Sequence, residues 1–130
     1  MFSHIMIGSN DIEQSKRFYD AVLGTLGASE PLRNQAASGH TRLFYRHEGS
    51  TFCISEPING EGATCANGST IGFKCSSPEQ VQKFHDTAVA HGGISIEVLW
   101  SNLPVHLNRW KIHHLRRITW PDNARPSIPA

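Results

Sequence analysis

The chain says one thing twice. "DIEQSKRFYD" at 11–20 and "SPEQVQKFHD" at 77–86 share Glu-Gln, a base, Phe and a closing Asp at the same spacing. Sliding the sequence over itself by 66 residues also matches Ile5 with Ile71 and Gly27 with Gly93. Each copy follows an apolar, strand-like run, "HIMIGS" at 4–9 and "TIGFKC" at 70–75. Two amphipathic helices can resemble each other by chance, but chance does not extend to the flanks. The repeated unit is therefore a strand followed by a helix.

Local signals fill in each unit. Asn10 is placed to cap the first helix with Glu13 at its third position; Ser77 caps the second, with Pro78 at its first position and Gln80 at its third. Such residues satisfy the backbone N–H groups that a helix start leaves unpaired. Ile12, Phe18, Tyr19, Val22 and Leu26 form one apolar stripe, and Val81, Phe84, Ala88 and Val89 the other, so each helix covers a sheet with one face. Strands are expected at 41–47 and 51–57, joined by a short hairpin at Glu48, Gly49 and Ser50, with a weaker extended stretch near 28–34. The Gly- and Asn-rich "INGEGATCANGS" then marks a boundary.

The order per unit is strand, helix, then two or three antiparallel strands. The fold class expected is α+β: two tandem βαβββ modules forming a curved mixed sheet with a central cleft. A chain of 130 residues holds one such domain. Module one is assigned to about 1–58, the linker to about 59–68 and module two to about 69–130. Each module buries one sheet face under its helix, and the two open faces enclose the cleft where a ligand would sit. Strand parity puts Ile5 and Ile7 on the helix side, hence His4 and Met6 in the cleft. Phe44 and Tyr45 alternate across their strand, so register decides which lines the cleft; Tyr45 is the candidate. Arg42 and Arg46 share a face, where they either hold an anionic ligand or are ordinary surface arginines.

"HIMIGSND" leading into "SKRFYDAVLG", with "STIGFKCSSPEQVQKFHDTAVAHGG" in the second half, resembles the vicinal oxygen chelate superfamily of glyoxalase I, bleomycin- and fosfomycin-resistance proteins and extradiol dioxygenases. The resemblance covers residues 1 to about 97. It implies that a metal-dependent member would take ligands from the first and last strands of each module. His4 fits the first position, and Glu56 answers for the last strand of module one, with Cys53 or Ile54 as alternatives in a shifted register. Thr70 stands where such a member would carry His, and no Glu matches the fourth position. Two of four ligands make no complete metal site. His4 and Glu56 remain the candidates for a divalent ion (Ni, Zn, Mn or Fe), and Glu56 the candidate proton shuttle. Ligand-lining candidates are His4, Met6, Tyr45, Glu56 and Thr70.

From about residue 98 the pattern stops, with only "WPDNA" similar to the family's turn. All three tryptophans and three of the eight histidines lie beyond it. Residues 1–93 carry 7 Lys and Arg against 9 Asp and Glu, whereas residues 94–130 carry 5 against 2. The tail is a divergent pair of last strands, a replacement segment packing on the cleft or a partner subunit, or the product of a shifted reading frame. His106, His113 and His114 have no nearby carboxylate, and neighbouring histidines on a strand face opposite ways, which argues against a metal there.

The functional expectation is a small-molecule-binding member whose specific activity is unassigned, without a complete metal site. The alternative is a glyoxalase-type lyase or a dioxygenase using His4 and Glu56. A net charge of +1 gives no electrostatic case for nucleic acid or a membrane surface. Three cysteines without a C-x-x-C pair read as reduced thiols, and with no signal-like or spanning segment the expected location is the cytoplasm. Apolar strand edges point to a homodimer.

Overall fold

The computed structural model describes residues 1–64, 66, 69, 71–95 and 110–112, the last three by their backbone. The elements run β1 (Ile5–Gly8), α1 (Ile12–Gly24), β2 (Leu32–Gln35), β3 (Thr41–His47), β4 (Ser50–Ser55), β5 (Phe73–Cys75), α2 (Pro78–Ala90) and β6 (Trp110–Ile112). The first five form the expected βαβββ unit. Its sheet has the order β1-β4-β3-β2, with β1 parallel to β4 and the other pairs antiparallel. In the second unit β5 pairs antiparallel with β6. The remaining expectations for residues beyond 95 lie outside the described residues, as do Thr70 and Cys65.

One turn sets the register of the sheet. Glu48 and Gly49 both have positive φ, 48° and 80°, the geometry of a two-residue hairpin whose twist matches the flanking strands. His47 therefore pairs with Ser50, Tyr45 with Phe52 and Leu43 with Ile54. Because side chains alternate, Leu43, Tyr45, Phe52 and Ile54 share one face, and all are buried in the core. Ile5 and Ile7 lie beside Phe52 and Ile54, so they belong to this helix face, as parity predicts.

Helix α1 lays Phe18, Tyr19, Val22 and Leu23 on that face, with Ile12 and Leu26 packed at its margin. Its cap is Asp11 and not Asn10: the Asp11 carboxylate accepts from Gln14 N–H at 3.1 Å. Asn10 instead reaches the linker, where its Oδ1 accepts from Ala63 N–H at 2.7 Å. Helix α2 starts as expected, with Ser77 accepting from Gln80 N–H. Val81, Phe84 and Ala88 are buried, but Val89 is 43% exposed because it lies off the stripe's axis. Both helices and both units contribute to one cluster of buried residues. Gln80 also ties the units directly, donating from Nε2 to the Thr25 carbonyl at 3.1 Å.

Candidate functional site

The face of the first sheet opposite α1 carries the complementary set of side chains. Register places Met6 beside Cys53, Cys53 beside Phe44, and Phe44 beside Leu32. Along β3 the same face presents Arg42 and Arg46 on either side of Phe44. Met6 and Leu32 are 42% and 59% exposed, whereas Cys53 at the centre is fully buried. Burial pushes the Cys53 thiol upward, while Arg42 and Arg46 pull it down from across the same face.

Arg42 is held in place. Its Nε and Nη2 donate to Asn34 Oδ1 at 3.2 and 2.8 Å, and its guanidinium carbon lies 5.9 Å from the Phe44 ring centre. Asn34 is directly opposite on β2, so the contact follows from pairing alone. At this end of the face opens a cavity of about 300 Å³. Its walls are Met6 and Gly8 of β1, His40 and Arg42 at β3, the segment 55–58 after β4, and the β2–β3 turn. Gly8 matters here: a Cβ at this position would come within 3.0 Å of Ala63 Cβ and press on the linker.

The expected site residues part company in the structure. Met6 lines the cavity, and so does Glu56, whose Oε1 accepts from Thr41 N–H at 2.7 Å while its own N–H donates to the Thr41 carbonyl. Glu56 thus closes the end of the β3–β4 ladder. His4 is exposed, one residue before the Ile5–Phe52 pair, with its Nδ1 2.6 Å from Ser3 Oγ. Glu56 follows the Gly8–Ser55 pair, five residues further along the parallel ladder. That separation is roughly 16 Å of strand. His4 and Glu56 therefore stand at opposite ends of the sheet and do not converge on one ion. Among the described residues no three His, Cys, Asp or Glu side chains group as metal ligands would.

Tyr45 is a correction. The two-residue turn puts it opposite Phe52 on the helix face, 2% exposed, and its hydroxyl donates to Asp20 Oδ1 at 2.8 Å beneath α1. Phe44 takes the open face instead. What Tyr45 does border is a second cavity, of about 330 Å³, between the β3–β4 turn, the end of α1 and the start of the second unit at Ile71–Lys74. Asn34 and His40 go beyond the expected set, whereas Cys53, the alternative to Glu56 in a shifted register, stands at the centre of the open face. Reading Glu48-Gly49 as a complete two-residue turn puts Cys53 opposite Phe44 on the open face, whereas Asn34 meets Arg42 through the separate pairing of β2 with β3.

No protein-family model matches this chain, and no curated protein matches it. Among solved structures it is similar to a glyoxalase/bleomycin resistance protein from Albidiferax ferrireducens T118, at 51% identity over 75% of this chain and 78% of that one, with a TM-score of 0.68. No helix among the described residues is long and apolar enough to cross a membrane. A βαβββ unit with this strand order, a second strand and helix sharing its core, and half of the aligned residues identical carry one conclusion: the chain belongs to the glyoxalase/bleomycin resistance protein family of the vicinal oxygen chelate superfamily.

Proposed function

We propose that the protein binds a small organic molecule on the open face of its first module, in the cavity beside Arg42, and does so without a complete metal site. The observation that carries this reading is the composition of that face. Met6 and Ile58 give apolar walls and Arg42, braced by Asn34 and beside the Phe44 ring, a fixed polar contact, while the two candidate ligands, His4 and Glu56, lie at opposite ends. Small-molecule sites are built of such walls with a few convergent polar groups. A metal-assisted lyase or dioxygenase needs three or four donors around one ion with a position open to substrate. The reading takes residues 1–130 as one domain, with the modules divided near 58–69, and the two buried free thiols Cys53 and Cys75 support a reducing, cytoplasmic setting.

Calorimetric titration of the metal-free protein with nickel, zinc, manganese and iron(II) is expected to show no stoichiometric binding, in the native chain and in His4→Ala alike. One ion per chain in the native protein, lost in the variant, would overturn the metal-free reading and restore the enzyme alternative.

A homodimer is part of the same proposal. Among the described residues β1 is an edge strand, and Met1, Phe2 and Ile5 beside it are exposed apolar side chains. An apolar edge invites pairing with a second copy. Sedimentation velocity at micromolar concentration is expected to give twice the chain mass; Ile5→Lys should shift it to the monomer, and a native monomer would reject the dimer.

A further inference from the structure

Arg42 differs from the other fixed cations of the first module in having no carboxylate. Lys16 is shared by Asp20 and Glu30 at 2.6 and 3.0 Å, and Arg33 meets Glu13 at 2.7 Å. Among the described residues neither Arg42 nor Arg46 forms an ion pair, and both occupy the open face. Two of Arg42's five N–H donors are spent on the neutral Asn34 oxygen. The remaining donors belong to a charged group in the wall of a mostly apolar cavity. The one acid in that wall, Glu56, has Oε1 committed to Thr41 N–H, and His40 Nδ1 sits 2.8 Å from Ser38 Oγ.

A planar guanidinium braced by a neighbour and an aromatic ring is a preorganised receptor for a carboxylate or phosphate, because little side-chain freedom remains to be lost on binding. We propose that the ligand of this cavity is an anion: a small, flat, apolar molecule whose carboxylate or phosphate oxygens sit on Arg42 and whose body lies against Met6 and Ile58. Arg46, further along the same strand, attracts the ligand from a distance without touching it. This rests on the small-molecule reading above and adds the chemical class. The volume of about 300 Å³ fits a bicyclic ring system at the small end of ligand sites.

The test uses 2-naphthoate, 2-naphthyl phosphate and the neutral 2-naphthalenemethanol, each titrated into the full chain and followed by amide NMR shifts. At least one anion is expected to bind about tenfold or more tightly than the alcohol, as a charge-assisted contact implies. The tighter of the two anions identifies the headgroup. Arg42→Gln should erase that advantage and Arg42→Lys should restore part of it. Arg33→Gln, an equal loss of charge on the other face, should preserve it, and the three variants should keep the native amide spectrum away from the substitution. Equal binding of anions and alcohol would overturn the anionic class while leaving a small-molecule cavity standing. No binding by any of the three would overturn both. An equal loss in Arg33→Gln would assign the preference to overall charge and so reject Arg42 as the contact.

Discussion

Phe84→Ala is expected to lower the free energy of unfolding by about 3–5 kcal/mol. Phe84 is fully buried on α2, and its ring lies 5.7 Å from Phe73 of β5. Phe73 in turn meets Phe52 of the first sheet at 5.3 Å, Phe52 meets Tyr19 at 5.1 Å, and Tyr19 meets Phe18 at 4.9 Å. One run of aromatic rings thus passes from the second helix through both units to the first. Truncation leaves a cavity at the end of that run, and the neighbours can collapse into it only by moving a strand or a helix. Domains of this size are stable by about 5–15 kcal/mol, so the loss takes much of the total. Urea unfolding followed by tryptophan and far-ultraviolet signals gives the number. Val89→Ala, five residues further along α2 and 43% exposed, should change stability by less than about 1 kcal/mol. A loss below about 1 kcal/mol for Phe84→Ala would mean that the second unit does not share the core of the first.

How much of this was legible follows from where the information sits. Helix positions and the 41–47 strand come from periodicities of 3.6 and 2, which depend on residues close in sequence, and these agree with α1, α2 and β3. The cap of α1 was misplaced by one residue because Asn10 and Asp11 are both good caps; the Asn10 contact with Ala63, 53 residues away, is a tertiary choice that no local rule contains. Tyr45 shows the sharper failure. Its face depends on a single residue of turn length, and a three-residue reading of Glu48, Gly49 and Ser50 leaves the register open.

The site was less legible than the fold for the same reason. Met6 follows from parity within one strand. The Arg42–Asn34 contact depends on β2, a fully exposed strand whose short polar sequence gives almost no signal. The distance between His4 and Glu56 depends on the parallel register of β1 against β4, set by packing of Ile5 and Ile7 beside Phe52 and Ile54. Proximity between candidate ligands is a property of register, so a match of residue types to a family's positions does not establish it.

Stability is also expected to fall steeply in alkali. Cys75 is 1% exposed, and burial raises its thiol from an ordinary value of 9.0 to about 11. Between these values the unfolded chain has released a proton that the native chain retains, so the stabilisation is intact below about pH 9 and is lost as pH rises towards 11. At about pH 10.5 this group alone costs about 2 kcal/mol. Three further groups act in the same direction. Burial also raises the Cys53 thiol, Tyr19 is raised by burial, and Tyr45 by burial and by its bond to Asp20. Lys16, held charged by hydrogen bonds to Asp20 and Glu30, adds its own loss when it deprotonates in the unfolded chain first. Urea midpoints measured under reducing conditions should therefore be flat across these groups at neutral pH and drop progressively above about pH 9. Cys75→Ala lowers stability at every pH through lost packing, so the diagnostic is its slope: the decline between about pH 9 and 10 should be shallower than in the native chain. Tyr45→Phe should instead flatten the curve only above about pH 10, where an unfolded tyrosine ionises. A native curve that stays level to pH 10.5, or variants that run parallel to it, would show that these thiols and phenols are hydrated in the folded protein, and the packing of both faces of the first sheet would have to be redrawn.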